Sequence, residues 1–291
     1  MKVFVTGVKG QLGYDVLLAL EARGHEAIGV DVEEMDITDA EAVRRVLTEV
    51  APDAVIHCAA WTAVDAAEEA ENIEKVRAVN AGGTANIAAV CKELSCKMMY
   101  ISTDYVFDGS GETPWQPDCK EYRPLGVYGQ TKLEGEQAVA NALDSYFIVR
   151  IAWVFGLNGK NFVKTMLNLG EKYDSLRVVS DQIGTPTYTA DLARLLVDMI
   201  ETEKYGYYHA TNEGGFISWY DFTCEIFRQA AEKDPAYAKV AVSPVTTAEY
   251  GAKAARPFNS RLDKSKLREN GFEPLPTWQD ALARYLNDVM E

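Results

Sequence analysis

Tyr128 and Lys132 stand four residues apart in Val127-Tyr128-Gly129-Gln130-Thr131-Lys132, so on a helix they share one face. A phenol is a poor acid near neutral pH, and a neighbouring ammonium favours the phenolate and lowers its pKa. Such a pair can give a proton to a substrate oxygen, or take one from it, while hydride moves at the adjacent carbon. Upstream, the apolar run KMMYIS leads into Ser102-Thr103-Asp104-Tyr105-Val106-Phe107, which places hydroxyls and a carboxylate at a strand end. Tyr-x-x-x-Lys is common by chance, so its meaning depends on its company.

That company begins at the N-terminus. Directly after a first β-rich run comes Thr6-Gly7-Val8-Lys9-Gly10-Gln11-Leu12-Gly13, with glycines spaced by three. Gly7, Gly10 and Gly13 suit a turn that needs positive φ, lets backbone N–H groups approach a pyrophosphate, and packs a helix closely on a strand. A plain tight turn would use the same residues, but the position between strand and helix favours dinucleotide binding. Eighteen residues beyond Gly13, Asp31 closes the second strand, where an acid accepts hydrogen bonds from an adenosine ribose and repels the 2′-phosphate of NADP. Val32, Glu33 and Glu34 add no arginine for that phosphate. Lys9 could compensate in part, so the cofactor is expected to be NADH or NADPH, with Asp31 leaning to NADH. The plainer reading of Asp31 is a solvated carboxylate after a strand.

The elements that must hold these residues alternate. KVFVT, HEAIGVD, DAVIHC, KMMYIS and YFIVRI are strand-like runs separated by helical patterns at 11–23, 39–49, a long stretch ending near Leu94, and 128–142. This spacing predicts βαβ units and a doubly wound parallel sheet covered on both faces. Residues 1–155 are expected to form a Rossmann-type dinucleotide-binding domain. LRVVS and TADLARLLVDMIE, within 176–209, are expected to return to its sheet, and 156–291 to build mainly a smaller C-terminal substrate-binding α/β part. A ligand would bind beyond the C-terminal strand ends, between the two parts.

Composition bounds the partners. The chain has 291 residues, 47% hydrophobic and 25% charged, with a formal charge of −15. That acidity argues against a broad grip on nucleic acid or anionic lipid, both of which need a positive field. The excess is uneven: residues 1–150 carry −12 and residues 151–291 carry −3, while 253–268 reverses to +5. A glycine turn and helix N-terminus bind phosphate through backbone dipoles, so the acidic half needs few cations for it. Cys58, Cys91, Cys96, Cys119 and Cys224 include no CxxC pair, and with His25, His57 and His209 scattered they read as reduced thiols without a metal site. MKVFVTGVKG enters a strand without a leader's apolar core, and no later run approaches a membrane span. The expected compartment is the cytoplasm, with no membrane partner.

Together, the glycine turn, the Ser/Thr-bearing strand end and the Tyr/Lys pair resemble an extended short-chain dehydrogenase/reductase. The segments 57–65 (HCAAWTAVD), 102–109 (STDYVFDG), 127–132 (VYGQTK), 150–156 (RIAWVFG), 181–187 (DQIGTPT) and 256–260 (RPFNS) narrow the resemblance, over essentially the whole chain, to the dTDP-4-dehydrorhamnose reductase family. The resemblance implies reduction at C4 of a dTDP-linked 4-keto sugar, dTDP-4-dehydro-6-deoxy-L-mannose, as the last step of dTDP-L-rhamnose formation for cell-surface polysaccharide. Tyr128 would protonate the developing alkoxide, Lys132 would bind the nicotinamide ribose and tune Tyr128, Thr103 would hydrogen-bond the carbonyl oxygen, and Asp104 would adjust the proton balance. Tyr105 and Trp153 fall at substrate positions, with Trp153 packing on the sugar. Gly10, Gln11, Leu12, Asp31, Asp36, Ile37, Ala60, Trp61 and Thr62 fall at cofactor positions. Related 4,6-dehydratases carry a glutamate where Tyr105 stands here; a ketone reductase needs no second base.

Some family members join subunits through Mg²⁺ held by carboxylates. Asp15 matches one position, but Ala190 occupies another, and Asp191 beside it points about 100° away on a helix. No Mg²⁺ requirement is expected, and a monomer or a dimer not bridged by metal follows. Within 253–268, Arg256 and Asn259 are assigned to the nucleotide diphosphate, and Lys264, Lys266 and Arg268 to a short exposed helix. Rival readings are a reductase of another nucleotide-linked keto sugar and a non-catalytic regulatory subunit on the same fold.

Overall fold

The computed structural model describes residues 1–290. Six parallel strands form the main sheet: β1 (Lys2–Thr6), β2 (Glu26–Val30), β3 (Ala54–His57), β4 (Lys97–Thr103), β5 (Tyr146–Ile151) and β6 (Gly206–His209). Their order, β6-β5-β4-β3-β1-β2, reverses direction at β1, so the chain leaves β1 for β2 on one side and then β3 on the other. The crevice outside the strand ends at that switch is where an α/β sheet of this kind binds ligands.

Period-two alternation explains the burial on both faces. Val3, Val5, Ile56, Met99 and Val149 face one layer, with α1 (Gln11–Ala22) and the helix Thr189–Ile200. Phe4, Val55, Met98, Tyr100 and Ile148 face the other, with Ala40–Val50, Thr84–Leu94 and Val127–Ala142. The ion pair Arg150–Glu136, at 2.7 Å and fully buried, ties β5 to the last of these helices.

A separate core gathers Phe155, Val163, Met166, Phe222, Ile226, Trp278 and Tyr285 from the helices Phe162–Lys172, Trp219–Lys233 and Trp278–Val289. Here one expectation is corrected. The helix Thr189–Ile200 and β6 do join the Rossmann layer, but Ser175–Val179 pairs in parallel with Ala241–Val245, from Ser175 opposite Ala241 to Val179 opposite Val245. Its apolar side, Leu176 and Val178, fits the second core, and both edges of the main sheet lie elsewhere.

Candidate active site

A cleft of about 740 Å³ opens beyond the C-terminal ends of β1, β3, β4 and β5. It is lined by Gly7, Gly10, Gln11, Leu12, Gly13, Asp31, Asp36, Ile37, Ala60, Trp61 and Thr62 on one side and by Thr103, Asp104, Tyr105, Tyr128, Lys132 and Trp153 on the other.

The glycine turn is built by close approach. Gly7 has φ of 72°, and a Cβ there would lie 2.7 Å from the Ala59 backbone; a Cβ on Gly13 would run into the Gly7 carbonyl. Gly10, the N-cap of α1, contributes no side-chain cap, and no acidic residue stands in the first turn. The first N–H groups of a 12-residue helix are therefore left open toward the cleft. Asp31 is held in place because Oδ2 accepts from Lys9 N at 3.0 Å and Oδ1 from Val32 N at 2.9 Å. The Lys9 ammonium is not free: it pairs with Glu33 at 2.8 Å.

On the opposite wall, the helix Val127–Ala142 begins at Val127, whose N–H donates to Glu68 Oε1 at 2.7 Å in place of a local cap. Gly129 lets that helix touch the turn after β4, since a Cβ there would strike the Tyr105 carbonyl oxygen. Tyr128 and Lys132 thus enter the cleft one turn apart. The Tyr105 and Tyr128 rings meet edge to face at 5.3 Å. Thr103 Oγ1 donates to Asp104 Oδ1 at 3.0 Å, while Asp104 Oδ2 is buried without a hydrogen bond, beside Ser260.

The electrostatics correct one expectation. Lys132 Nζ donates to the Ile101 carbonyl at 2.6 Å and lies 4.1 Å from the Tyr100 ring centroid. Burial pushes its pKa down to about 7, against the pull of Glu136. Burial also pushes Tyr128 up to about 12, with the Thr103 hydroxyl pulling the other way, so the ammonium does not lower the phenol as the bare spacing suggested. Burial lifts Asp104 to about 6, opposed by the neighbouring Ser260 and Thr103 hydroxyls.

The family description "RmlD substrate binding domain" matches residues 1–291. A crystal structure of a dTDP-4-dehydrorhamnose reductase from Clostridium acetobutylicum is 41% identical and superimposes with a TM-score of 0.94, covering 100% of both chains. The chain belongs to the dTDP-4-dehydrorhamnose reductase family. A second family structure, from Bacillus anthracis in complex with NADP, is 39% identical with a TM-score of 0.91 over 99% of both chains. The spore coat polysaccharide biosynthesis protein SpsK of Bacillus subtilis is 38% identical over 99% of this chain and 97% of its own.

One substrate expectation of the family pattern, that for Asn259, needs revision in this member. Neither Arg256 nor Asn259 lines the cleft itself, but the Arg256 guanidinium is near enough to Tyr105, which does, to interact with it electrostatically. Asn259 is buried, its amide donating to the carbonyls of Ser110 (3.2 Å) and Thr113 (2.9 Å) and its oxygen accepting from Arg261 Nη1 (3.0 Å), so it clamps a loop and has no group left for a ligand. Arg256 is half-buried and paired with Asp65 at 2.7 Å. The exposed-helix reading of 264–268 also changes: the helix Ser265–Glu269 exists, but Lys264 is largely buried, donating to the Asn212 carbonyl at 2.8 Å beside Glu213.

The metal bridge of some family members does not fit this donor set. Ala190 offers no ligand, and Asp191 Oδ2 already accepts from Arg284 at 2.7 Å and Asn212 at 2.9 Å. Among the described residues no group of three or more His, Cys, Asp or Glu side chains could hold a metal. No helix among them is long and apolar enough to cross a membrane.

Sequence reasoning missed the residues that brace the cofactor side. Asn80, in a π-helical turn over Ala78–Gly83, grips Trp61 by both backbone groups, accepting from its N–H at 2.8 Å and donating to its carbonyl at 3.2 Å. Such turns inside helices are frequent at functional sites, and an asparagine among small residues was the one available signal. Asn158 donates to the Lys9 and Gly10 carbonyls at 2.8 and 3.2 Å, locking the loop after Phe155 onto the glycine turn. Nothing local in Gly156–Asn161 announces that contact.

Proposed function

We propose that this protein reduces the C4 ketone of dTDP-4-dehydro-6-deoxy-L-mannose with NADH or NADPH, yielding dTDP-L-rhamnose in the cytoplasm as the last step of a supply for cell-surface polysaccharide. The observation that carries the reading is one cleft with an uncapped helix N-terminus and glycine cradle on one wall and Tyr128, Lys132 and Thr103 on the other. The cradle fits a dinucleotide diphosphate, because Cβ atoms at Gly7 and Gly13 would collide with backbone and the open N–H groups of α1 can donate to an anion.

When bound, the dihydronicotinamide supplies hydride to C4. Gln11 and Leu12 N–H groups hold the diphosphate, Asp31 accepts from the adenosine ribose, and Lys132 donates to the nicotinamide ribose. Tyr128 donates its hydroxyl proton to O4 as the C4–H bond forms. A phenol near pKa 12 stays protonated through the working pH range, and an alkoxide is a far stronger base, so transfer runs downhill. Thr103 orients the same oxygen by turning its single hydroxyl proton from Asp104 Oδ1 to O4. The phenolate then recovers a proton from water at the cleft mouth.

Tyr105 supports reduction over dehydration. Burial pushes its phenol well up, so it offers no second base for an elimination. A 2′-phosphate would meet Asp31 at the cleft wall, with Lys9 already paired to Glu33, which favours NADH. The protein acts without Mg²⁺, as a monomer or as a dimer not bridged by metal, and its acidity gives nucleic acid no purchase. The experiment is oxidation of each cofactor by purified enzyme with the 4-keto sugar nucleotide, and identification of the product sugar. One dTDP-L-rhamnose per NADH consumed supports the reading; no turnover with this substrate and turnover with another nucleotide sugar overturns it.

A further inference from the structure

Trp153 has φ of 51°, in the left-handed region. A bulky residue stays there only where its surroundings over-determine it, and such outliers gather at ligand clamps. The surroundings are specific. Thr187 N donates to the Trp153 carbonyl at 3.1 Å and Thr187 Oγ1 to the Ala152 carbonyl at 2.6 Å, holding the backbone on both sides of the bend.

The indole is held as firmly as its backbone. It stacks on Trp219 with ring centroids 3.7 Å apart and planes 14° from parallel, and Phe162 packs on Trp219 in turn at 4.5 Å. At its edge lies Gly184, where a Cβ would come within 2.9 Å of Trp153 Cε2 and 3.1 Å of Cζ2. Trp219 opens the helix Trp219–Lys233, whose start is pinned by a reciprocal cap: Asp221 N donates to Ser218 Oγ at 3.0 Å and Ser218 N to Asp221 Oδ2 at 2.9 Å. Trp153 lines the cleft; Trp219 is not among its lining residues.

We propose that Trp219 is a positioning residue for the sugar nucleotide, fixing the tilt of Trp153 so that the sugar ring meets an indole wall set before binding. Because Trp219 covers one face of Trp153, only the opposite face and the edge are left to a ligand. A wall that is already ordered removes the cost of immobilising it when substrate arrives. The proposal rests on the reading above that Trp153 contacts the sugar.

The test is steady-state kinetics on the full-length enzyme with the 4-keto sugar nucleotide and with NADH, for Trp219→Leu, Trp219→Phe, Gly184→Ala and Trp153→Leu. Trp219→Leu and Gly184→Ala are each expected to raise KM for the sugar nucleotide about tenfold with KM for NADH within about twofold of wild type, and Trp219→Phe to restore most of the loss. A folded Trp219→Leu enzyme with unchanged sugar KM overturns the proposal, as does an equal rise in both KM values, which marks general loosening. Should Trp219→Leu fail to fold, Gly184→Ala decides, read beside Ser260→Ala, because its methyl meets the same indole at 2.9 Å and Ser260 Cβ at 3.0 Å without altering Trp219. If Trp153→Leu leaves the sugar KM unchanged, the contact between Trp153 and sugar is what fails. If Trp153→Leu raises it while Trp219→Leu and Gly184→Ala do not, only the role of Trp219 fails.

Discussion

Gly13→Ala and Gly10→Ala should separate the two duties of the glycine turn. A Cβ on Gly13 would strike the Gly7 carbonyl oxygen and lie 2.7 Å from the Gly7 carbonyl carbon and 3.0 Å from Val8 Cα, all backbone that no rotamer change can move aside. Overpacking of this kind costs about 1–3 kcal/mol, and backbone-on-backbone collision puts Gly13→Ala near the upper end, about 3 kcal/mol. For a chain of this length each kcal/mol lowers Tm by about 2 °C, so a fall of about 6 °C is expected. A Cβ on Gly10 meets only the Gly7 carbonyl oxygen, at 3.1 Å, and otherwise open space. Gly10→Ala should therefore cost no more than about 1 kcal/mol, the scale of a weakened N-cap, while its methyl stands where phosphate must approach the open N–H groups. Thermal unfolding and NADH titration by fluorescence measure the two effects. The expected result is a destabilised Gly13→Ala and a nearly wild-type Tm for Gly10→Ala with at least about tenfold weaker NADH binding, about 1.4 kcal/mol. Gly13→Ala within 1–2 °C of wild type, or Gly10→Ala binding NADH normally, would refute the geometry argued for the turn.

Arg256→Ala should raise KM for the sugar nucleotide without altering KM for NADH, whereas Asn259→Ala, which strands the Ser110 and Thr113 carbonyls, should cost about 1–3 kcal/mol of stability; a sugar-specific KM effect in the Asn259 variant contradicts its structural assignment. Burial raises Asp104 from 3.8 to about 6, so the folded state binds its proton more tightly and stability falls as pH rises through that window. Above pH 6 the ionised carboxylate costs about 3 kcal/mol, and Asp104→Asn should raise Tm at pH 8 but not at pH 4; equal Tm values at pH 8 would sink this account. Activity should survive excess chelator, since Ala190 supplies no ligand and Asp191 Oδ2 is held by Arg284 and Asn212; a strict Mg²⁺ requirement contradicts it.

What was legible in the sequence was local. The glycine spacing, Asp31 at the end of β2 and the Tyr128/Lys132 interval are all set within one turn or one strand, and the structure brings them to one cleft. The alternation of apolar runs gave the layers because parallel strands are buried on both faces. Three features were not legible, each for a physical reason. The partner of Ser175–Val179 lies more than sixty residues away at Ala241–Val245, and an apolar run carries no address for its neighbour. Arg256 and Asn259 look alike as polar residues in one motif, yet distant groups, Asp65 for one and Ser110 with Thr113 for the other, decide what each is free to do. The Tyr128 phenol is raised where the spacing argued for lowering, because Lys132 turns to the Ile101 carbonyl and burial outweighs it.

In the proposed reaction Tyr128 delivers the proton that completes ketone reduction. Single-turnover oxidation of bound NADH by the 4-keto sugar nucleotide, comparing wild type with Tyr128→Phe, tests it directly. The expected rate is at least about 10²-fold lower in the variant, with NADH affinity unchanged because the glycine cradle is untouched. A Tyr128→Phe enzyme that turns over at the wild-type rate would contradict it.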